Sequence, residues 1–123
     1  MLIAYARLLD ARDLVGYSKL FARDGEWTGP FVGTAHGPDN ILALLKANLG
    51  DAPPGSHHLM TNMAITVDGD TGGGWSRWTY LVPDADGAPR IVVSGHYDDA
   101  FVREDGFWRF KSRVVFGDIS GKT

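Results

Sequence analysis

Four histidines, His36, His57, His58 and His96, are the groups in this 123-residue sequence whose unperturbed chemistry moves protons near neutral pH. Carboxylates stand beside one of them, since Asp98 and Asp99 follow His96 closely. Histidines and carboxylates together suit either general acid–base catalysis or a metal site. The spacing argues against metal: there is no His-x-x-x-His pair, and adjacent His57 and His58 point to opposite faces of a strand. The chain has no cysteine, which removes thiolate nucleophiles, thiolate metal ligands and disulfides, and fits cytoplasmic residence. No metal and no cofactor is expected.

Asp99 shares a strand face with Tyr97, so it is a candidate buried carboxylate with a raised pKa and a second acid–base group. The alternative is an ion pair with Arg103 or another basic side chain. His96 and Asp98 fall on the opposite face, where Asp98 is expected to pair with Arg113 at the surface. His36 lies in a glycine-flanked loop and is expected to be exposed.

Elements must hold these groups, and the first third of the chain has helical spacing. Ala6, Leu9, Leu14, Tyr17, Leu20 and Phe21 recur every three or four residues, which predicts two short helices. Asp13 suits the N-cap of the second, which should run to about Ala22 and end at Asp24-Gly25. A short extended piece follows around Glu26-Trp27-Thr28. Pro38 then opens a third helix that carries Ile41, Leu42, Leu44, Leu45 and Leu49 and stops at Gly50.

Beyond Asp51-Ala52-Pro53-Pro54-Gly55 the pattern becomes a strand meander, with strands near 57–67, 75–82, 90–103 and 107–116. Asp68-Gly69, Asp86-Gly87 and Asp105-Gly106 are hairpin turns because both residue types tolerate positive φ. Gly72-Gly73-Gly74 reads as a loose first connection. A two-residue turn at Asp105-Gly106 pairs Glu104 with Phe107 and Phe101 with Phe110. Strict counting then places Tyr97, Asp99, Arg103 and Trp108 on the aromatic core face, and His96, Asp98, Lys111 and Arg113 on the other.

Composition bounds the partners. Twelve basic against fifteen acidic residues give a formal charge of −3, so there is no basic field for nucleic acid or anionic lipid. No uncharged stretch reaches the roughly 20 apolar residues of a membrane helix, and the N-terminus lacks an export-signal pattern. The expectation is one soluble α+β domain over residues 1–123, with helices covering a curved antiparallel sheet that leaves a pocket at its open end.

Four segments carry a resemblance to a known family: residues 5–13 with Leu20-Phe21-Ala22, Gly37-Pro38-Asp39-Asn40-Ile41, His58-Leu59-Met60-Thr61-Asn62 with residues 65–70, and Gly95 to Phe110. Across essentially its whole length the chain resembles the nuclear-transport-factor-like superfamily and, within it, the polyketide-cyclase-like (SnoaL-like) group. The resemblance implies three N-terminal helices packed on a strongly curved antiparallel sheet as a cone-shaped α+β barrel around an apolar cavity. It also implies a homodimer through the outer side of the sheet. The fold hosts unrelated functions, so the site must carry the functional argument.

Some dehydratases of the superfamily place a tyrosine and an aspartate on the first helix and a histidine on the first long strand after the third. Tyr5, Asp10 and His58 match those positions. The resemblance implies that His58 shuttles a proton, Tyr5 stabilises an enolate-like oxygen and Asp10 orients His58. A further carboxylate of some dehydratases is absent here, because Leu81 stands in its place. Trp27, Met60, Asn62, Tyr97 and Asp99 are the candidate substrate-binding residues.

Strict alternation puts His57, Leu59, Met63, Ile65 and Val67 on one face and His58, Met60 and Asn62 on the other. Three arrangements remain open: a sheet buried on both sides, a bulge that flips the register, or His57 as the pocket residue. The leading function is cofactor-independent dehydration, isomerisation or cyclisation of an apolar hydroxy-ketone or polycyclic small molecule. The alternative is a non-catalytic ligand-binding or assembly module, including a role like that of a dioxygenase small subunit.

Overall fold

The computed structural model describes residues 1–121. Its elements run α1 (Leu2–Asp10), α2 (Leu14–Ser18), β1 (Phe21–Gly29), β2 (Gly33–His36), α3 (Pro38–Asn48), β3 (His57–Asp68), β4 (Thr71–Pro83), β5 (Pro89–Glu104) and β6 (Phe107–Ser120). The six strands form one sheet in the order β2-β1-β6-β5-β4-β3. The sheet is open rather than closed into a barrel, with β2 and β3 at its edges. All neighbours are antiparallel except β1 and β6, which run parallel.

Local chemistry explains several boundaries. Asp13 caps α2 by accepting the Gly16 N–H at 2.9 Å, as its position predicts. The second helix stops at Ser18 instead of Ala22, and Asp24-Gly25 lie inside β1. Phe21 and Ala22 are buried, and the Leu20 carbonyl accepts the Phe110 N–H at 2.8 Å, so pairing with β6 outcompetes another helical turn. The helices are therefore not consecutive, because β1 and β2 separate α2 from α3. Pro38 opens α3 as expected.

The last hairpin turns at Asp105 and Gly106, both at positive φ, and pairs Glu104 with Phe107 and Phe101 with Phe110. The glycine triplet belongs to β4 rather than to a loop. A Cβ at Gly74 would come within 3.0 Å of the Phe101 ring, so the missing side chain makes room for that aromatic.

Two bulges decide which residues face inward. Between Thr61 and Ala64 the β3–β4 register shifts, with Asn62 at φ +53°. The extra residue brings Met63, Ile65 and Val67 to the face that already carries His58 and Met60, which is the bulge among the three open arrangements. On β6 a second shift, opposite Ala100 and Phe101, aligns Arg113 with Asp99 and Val114 with Asp98. The expected surface pair Asp98–Arg113 does not form, and Arg113 is fully buried.

The core gathers Leu2, Tyr5 and Leu9 of α1, Tyr17 of α2, Ile41 and Leu45 of α3, and Phe21, Trp27, Trp78, Tyr97, Phe101 and Phe110 of the sheet. α1 packs on β3, and α3 on β1 and β2. No helix among the described residues is long and apolar enough to cross a membrane.

Candidate active site

α1 presents Tyr5 inward and ends at Asp10, whose carboxylate reaches the first residues of β3. Asp10 Oδ1 lies 2.5 Å from His58 Nδ1, and Asp10 Oδ2 accepts the His58 backbone N–H at 3.0 Å. One carboxylate thus holds both the ring and the backbone of the histidine. An ionised carboxylate only accepts, so Nδ1 is the donor in this pair, and in a neutral imidazole so held Nε2 carries the lone pair.

His58 forms part of the wall of a partly open cavity of about 130 Å³. Tyr5 and Leu9 of α1, Tyr17 of α2, Trp27 of β1, Leu45 of α3, and Trp78, Tyr97 and Val115 of the sheet complete most of that wall. Tyr5 is buried, and its hydroxyl accepts the Trp27 indole N–H at 3.1 Å, with the Tyr17 ring 4.4 Å away, centroid to centroid. Burial, and secondarily the neighbouring Tyr5 phenol, pushes the Tyr17 and Tyr97 phenols well above their usual range, so both stay protonated.

Beneath the cavity sits a second acid–base pair. Arg113 donates from Nε to Asp99 Oδ1 at 2.7 Å and from Nη2 to Asp99 Oδ2 at 2.8 Å. Its guanidinium stacks on Tyr5, Tyr97 and Phe110, with ring centroids 4.1, 3.6 and 4.4 Å away. Burial raises the Asp99 carboxyl above the ordinary range, and the Arg113 hydrogen bonds pull it back. Asp99 is thus paired with a basic side chain, Arg113 rather than Arg103, and it does not line the cavity.

The remaining candidates divide cleanly. Trp27 and Tyr97 line the cavity beside Tyr5 and His58. Met60 sits on the inner face, half-buried against the core but outside the cavity lining. Asn62 is exposed at the β3 bulge and serves the backbone. Leu81 pairs with His57 on the outer face. His57 is exposed, and His36 is exposed beside Glu26. His96 lies on the outer face with its Nδ1 2.7 Å from Asp118. Among the described residues no cluster of three or more histidines and carboxylates is placed to hold a metal.

Trp78 and Tyr17 are among the cavity residues that the sequence did not single out. Trp78 was visible in the alternation Ser76, Trp78, Tyr80, Val82, and Tyr17 in helical spacing, but neither pattern says that a core residue borders a void. The core role of Arg113 had no local signal at all, because it depends on the β6 bulge.

A six-stranded sheet and three helices, with His58 in the wall of a partly open cavity, define an α+β protein. The SnoaL-like domain model matches residues 1–114, and the chain belongs to that family. It is 27% identical over 106 residues to a gamma-hexachlorocyclohexane dehydrochlorinase of Sphingobium indicum, a match spanning 85% of this chain and 68% of that protein. Among solved structures, ActVI-ORFA from Streptomyces coelicolor superposes with a TM-score of 0.81 at 31% identity, covering 93% of this chain and 89% of that one. The beta subunit of a putative aromatic-ring-hydroxylating dioxygenase from Novosphingobium aromaticivorans superposes with a TM-score of 0.76 at 23% identity, covering 98% and 86%. That last likeness is one of fold alone.

Proposed function

We propose that the protein is a cofactor-independent enzyme that removes a carbon-bound proton from a small, largely apolar substrate and so drives an elimination or isomerisation. The observation that carries this reading is Asp10 holding His58 at both ring Nδ1 and backbone N–H, with the imidazole in the cavity wall. In the elimination, His58 Nε2 takes the proton and the C–H electron pair becomes the new π bond. The leaving group departs from the adjacent carbon with its own electron pair. Asp10 stabilises the imidazolium that forms, and the Tyr5 hydroxyl donates to charge developing on a substrate oxygen.

Dehydrochlorination, the activity named for the Sphingobium relative, is an elimination of this kind. Dehydration of a hydroxy ketone is another. The cavity of about 130 Å³ is close to the roughly 150 Å³ void that accommodates benzene, so it suits one ring rather than a polycycle. The test is turnover of a panel of one-ring β-hydroxy ketones and chlorocyclohexanes. His58→Ala is expected to lower it about 10²- to 10⁴-fold while circular dichroism stays unchanged. Unchanged turnover in His58→Ala would reject the reading.

The outer face of the sheet supports a homodimer as the assembled form. Leu59, Trp75 and Phe116 are partly exposed there, with Arg77 and Asp118 beside them. Light scattering that returns a monomer mass at working concentration rules the dimer out.

A further inference from the structure

Asp10 engages His58 at the backbone N–H and at one edge of the imidazole. A ring held at one edge can still rock about it, and Tyr80 is placed to limit that motion. β3 and β4 pair His58 directly with Tyr80, and the two rings stand 4.6 Å apart, centroid to centroid, at an interplanar angle of 38°. That is the separation of aromatic rings in contact. Trp78, two residues along the same strand, is farther from the imidazole at 6.1 Å.

The contact is a product of register. It lies on the His58 side of the Thr61–Ala64 bulge, and a slip of one residue there would send Tyr80 to the outer face. Tyr80 is half-buried against the core and does not line the cavity, so its influence on a ligand runs through His58. The face of a phenol ring is electron-rich, and a cation within about 6 Å of its centroid is stabilised. His58 becomes such a cation when it takes a proton. Its other neighbours are the Asp10 carboxylate of α1 and, in the same cavity wall, the phenols of Tyr5, Tyr17 and Tyr97.

We propose that Tyr80 is a positioning residue for the base: its ring steadies the His58 imidazole against Asp10 and stabilises the imidazolium that proton abstraction creates. This rests on reading His58 as the base, and it adds a residue outside the cavity that tunes it. The aromatic ring carries the effect, so phenylalanine can replace tyrosine and an aliphatic side chain cannot.

The test is the histidine titration of the ligand-free protein, followed by imidazole ¹H and ¹⁵N resonances with His58 assigned from His58→Ala, alongside turnover of the substrate panel. Tyr80→Leu removes the π face and is expected to lower the His58 midpoint by about half a pH unit and turnover about two- to fivefold. Tyr80→Phe should restore both, and Tyr80→Trp, with the stronger π face, should raise the midpoint. His96, on the outer face beside Asp118, is the internal reference and should stay still in all three. A purely structural tyrosine would move the unfolding transition and leave the His58 titration alone. A His58 midpoint unchanged in Tyr80→Leu, or lowered equally in Tyr80→Phe, overturns the role of Tyr80 while His58-dependent turnover keeps the base. Normal turnover in His58→Ala removes the base and overturns both. If Tyr80→Leu fails to fold, a midpoint that does not rise in Tyr80→Trp overturns the proposal in its place.

Discussion

Asp10–His58 and Asp99–Arg113 are two carboxylate-centred pairs in which each carboxylate uses both oxygens, His58 standing beside Trp78 and Tyr80 and Arg113 stacking on Tyr5, Tyr97 and Phe110. The side chains of Asp99 and Arg113 are 1% and 0% exposed, whereas those of Asp10 and His58 keep 21% and 13%. Arg113 cannot give up its proton, so its pair can only fix the positions of Tyr5, Tyr97 and Phe110. The histidine of the other pair has a second ring nitrogen that Asp10 does not engage. Similar partners thus differ in kind: a fully buried bidentate pair with a permanent cation supports aromatic rings, and the more exposed pair holds an imidazole.

Breaking the buried pair should have the largest effect. Arg113→Met leaves Asp99 buried without its partner and is expected to cost about 3–5 kcal/mol in urea unfolding. Removing both charges, as Asp99→Leu with Arg113→Met, should recover most of that loss. A single variant as stable as the wild type would show that the aromatic rings around Arg113 are not held by this pair.

The cavity-side pair should respond in activity instead. Asp10→Asn is expected to lower turnover about 10- to 100-fold, since the amide no longer dictates which ring nitrogen of His58 carries the proton. Imidazole ¹⁵N shifts read that tautomer directly, and they should change in Asp10→Asn while the unfolding midpoint moves little. A collapse in stability without a tautomer change would make Asp10 a structural residue.

The smallest effect belongs to a third carboxylate, outside both pairs. The His96 hydrogen bond, with Arg77 nearby, lowers the Asp118 carboxyl below its ordinary range. A depressed carboxyl contributes stability above its unfolded-state value and loses it as pH falls through the folded one. Wild type should therefore exceed Asp118→Asn in urea midpoint near neutrality, and the gap should close under acid. A gap that is constant with pH would remove the linkage.

Tyr5, Asp10 and His58 were legible as a set from the resemblance, and the geometry brings His58 onto Asp10 with Tyr5 and His58 in one wall. Asn62 was misplaced for an instructive reason. Read as a strand residue it faces the pocket with His58, but asparagine also tolerates the left-handed conformation, and here it is the residue that makes the bulge. Similarly, counting back from the Asp105-Gly106 turn was correct as far as Phe110 and failed beyond it, so Arg113 was assigned to the surface.

The amino-acid sequence by itself determined what depends on near neighbours: the Asp13 cap, the proline start of α3 and the Asp105-Gly106 turn. Those are local free energies, set within a few residues. The tertiary structure alone decided the two bulges, the parallel pairing of β1 with β6 and the burial of Arg113. A bulge is a count of residues on one strand against another, so it belongs to the pair of strands and is chosen by which side chains the shared core can accept.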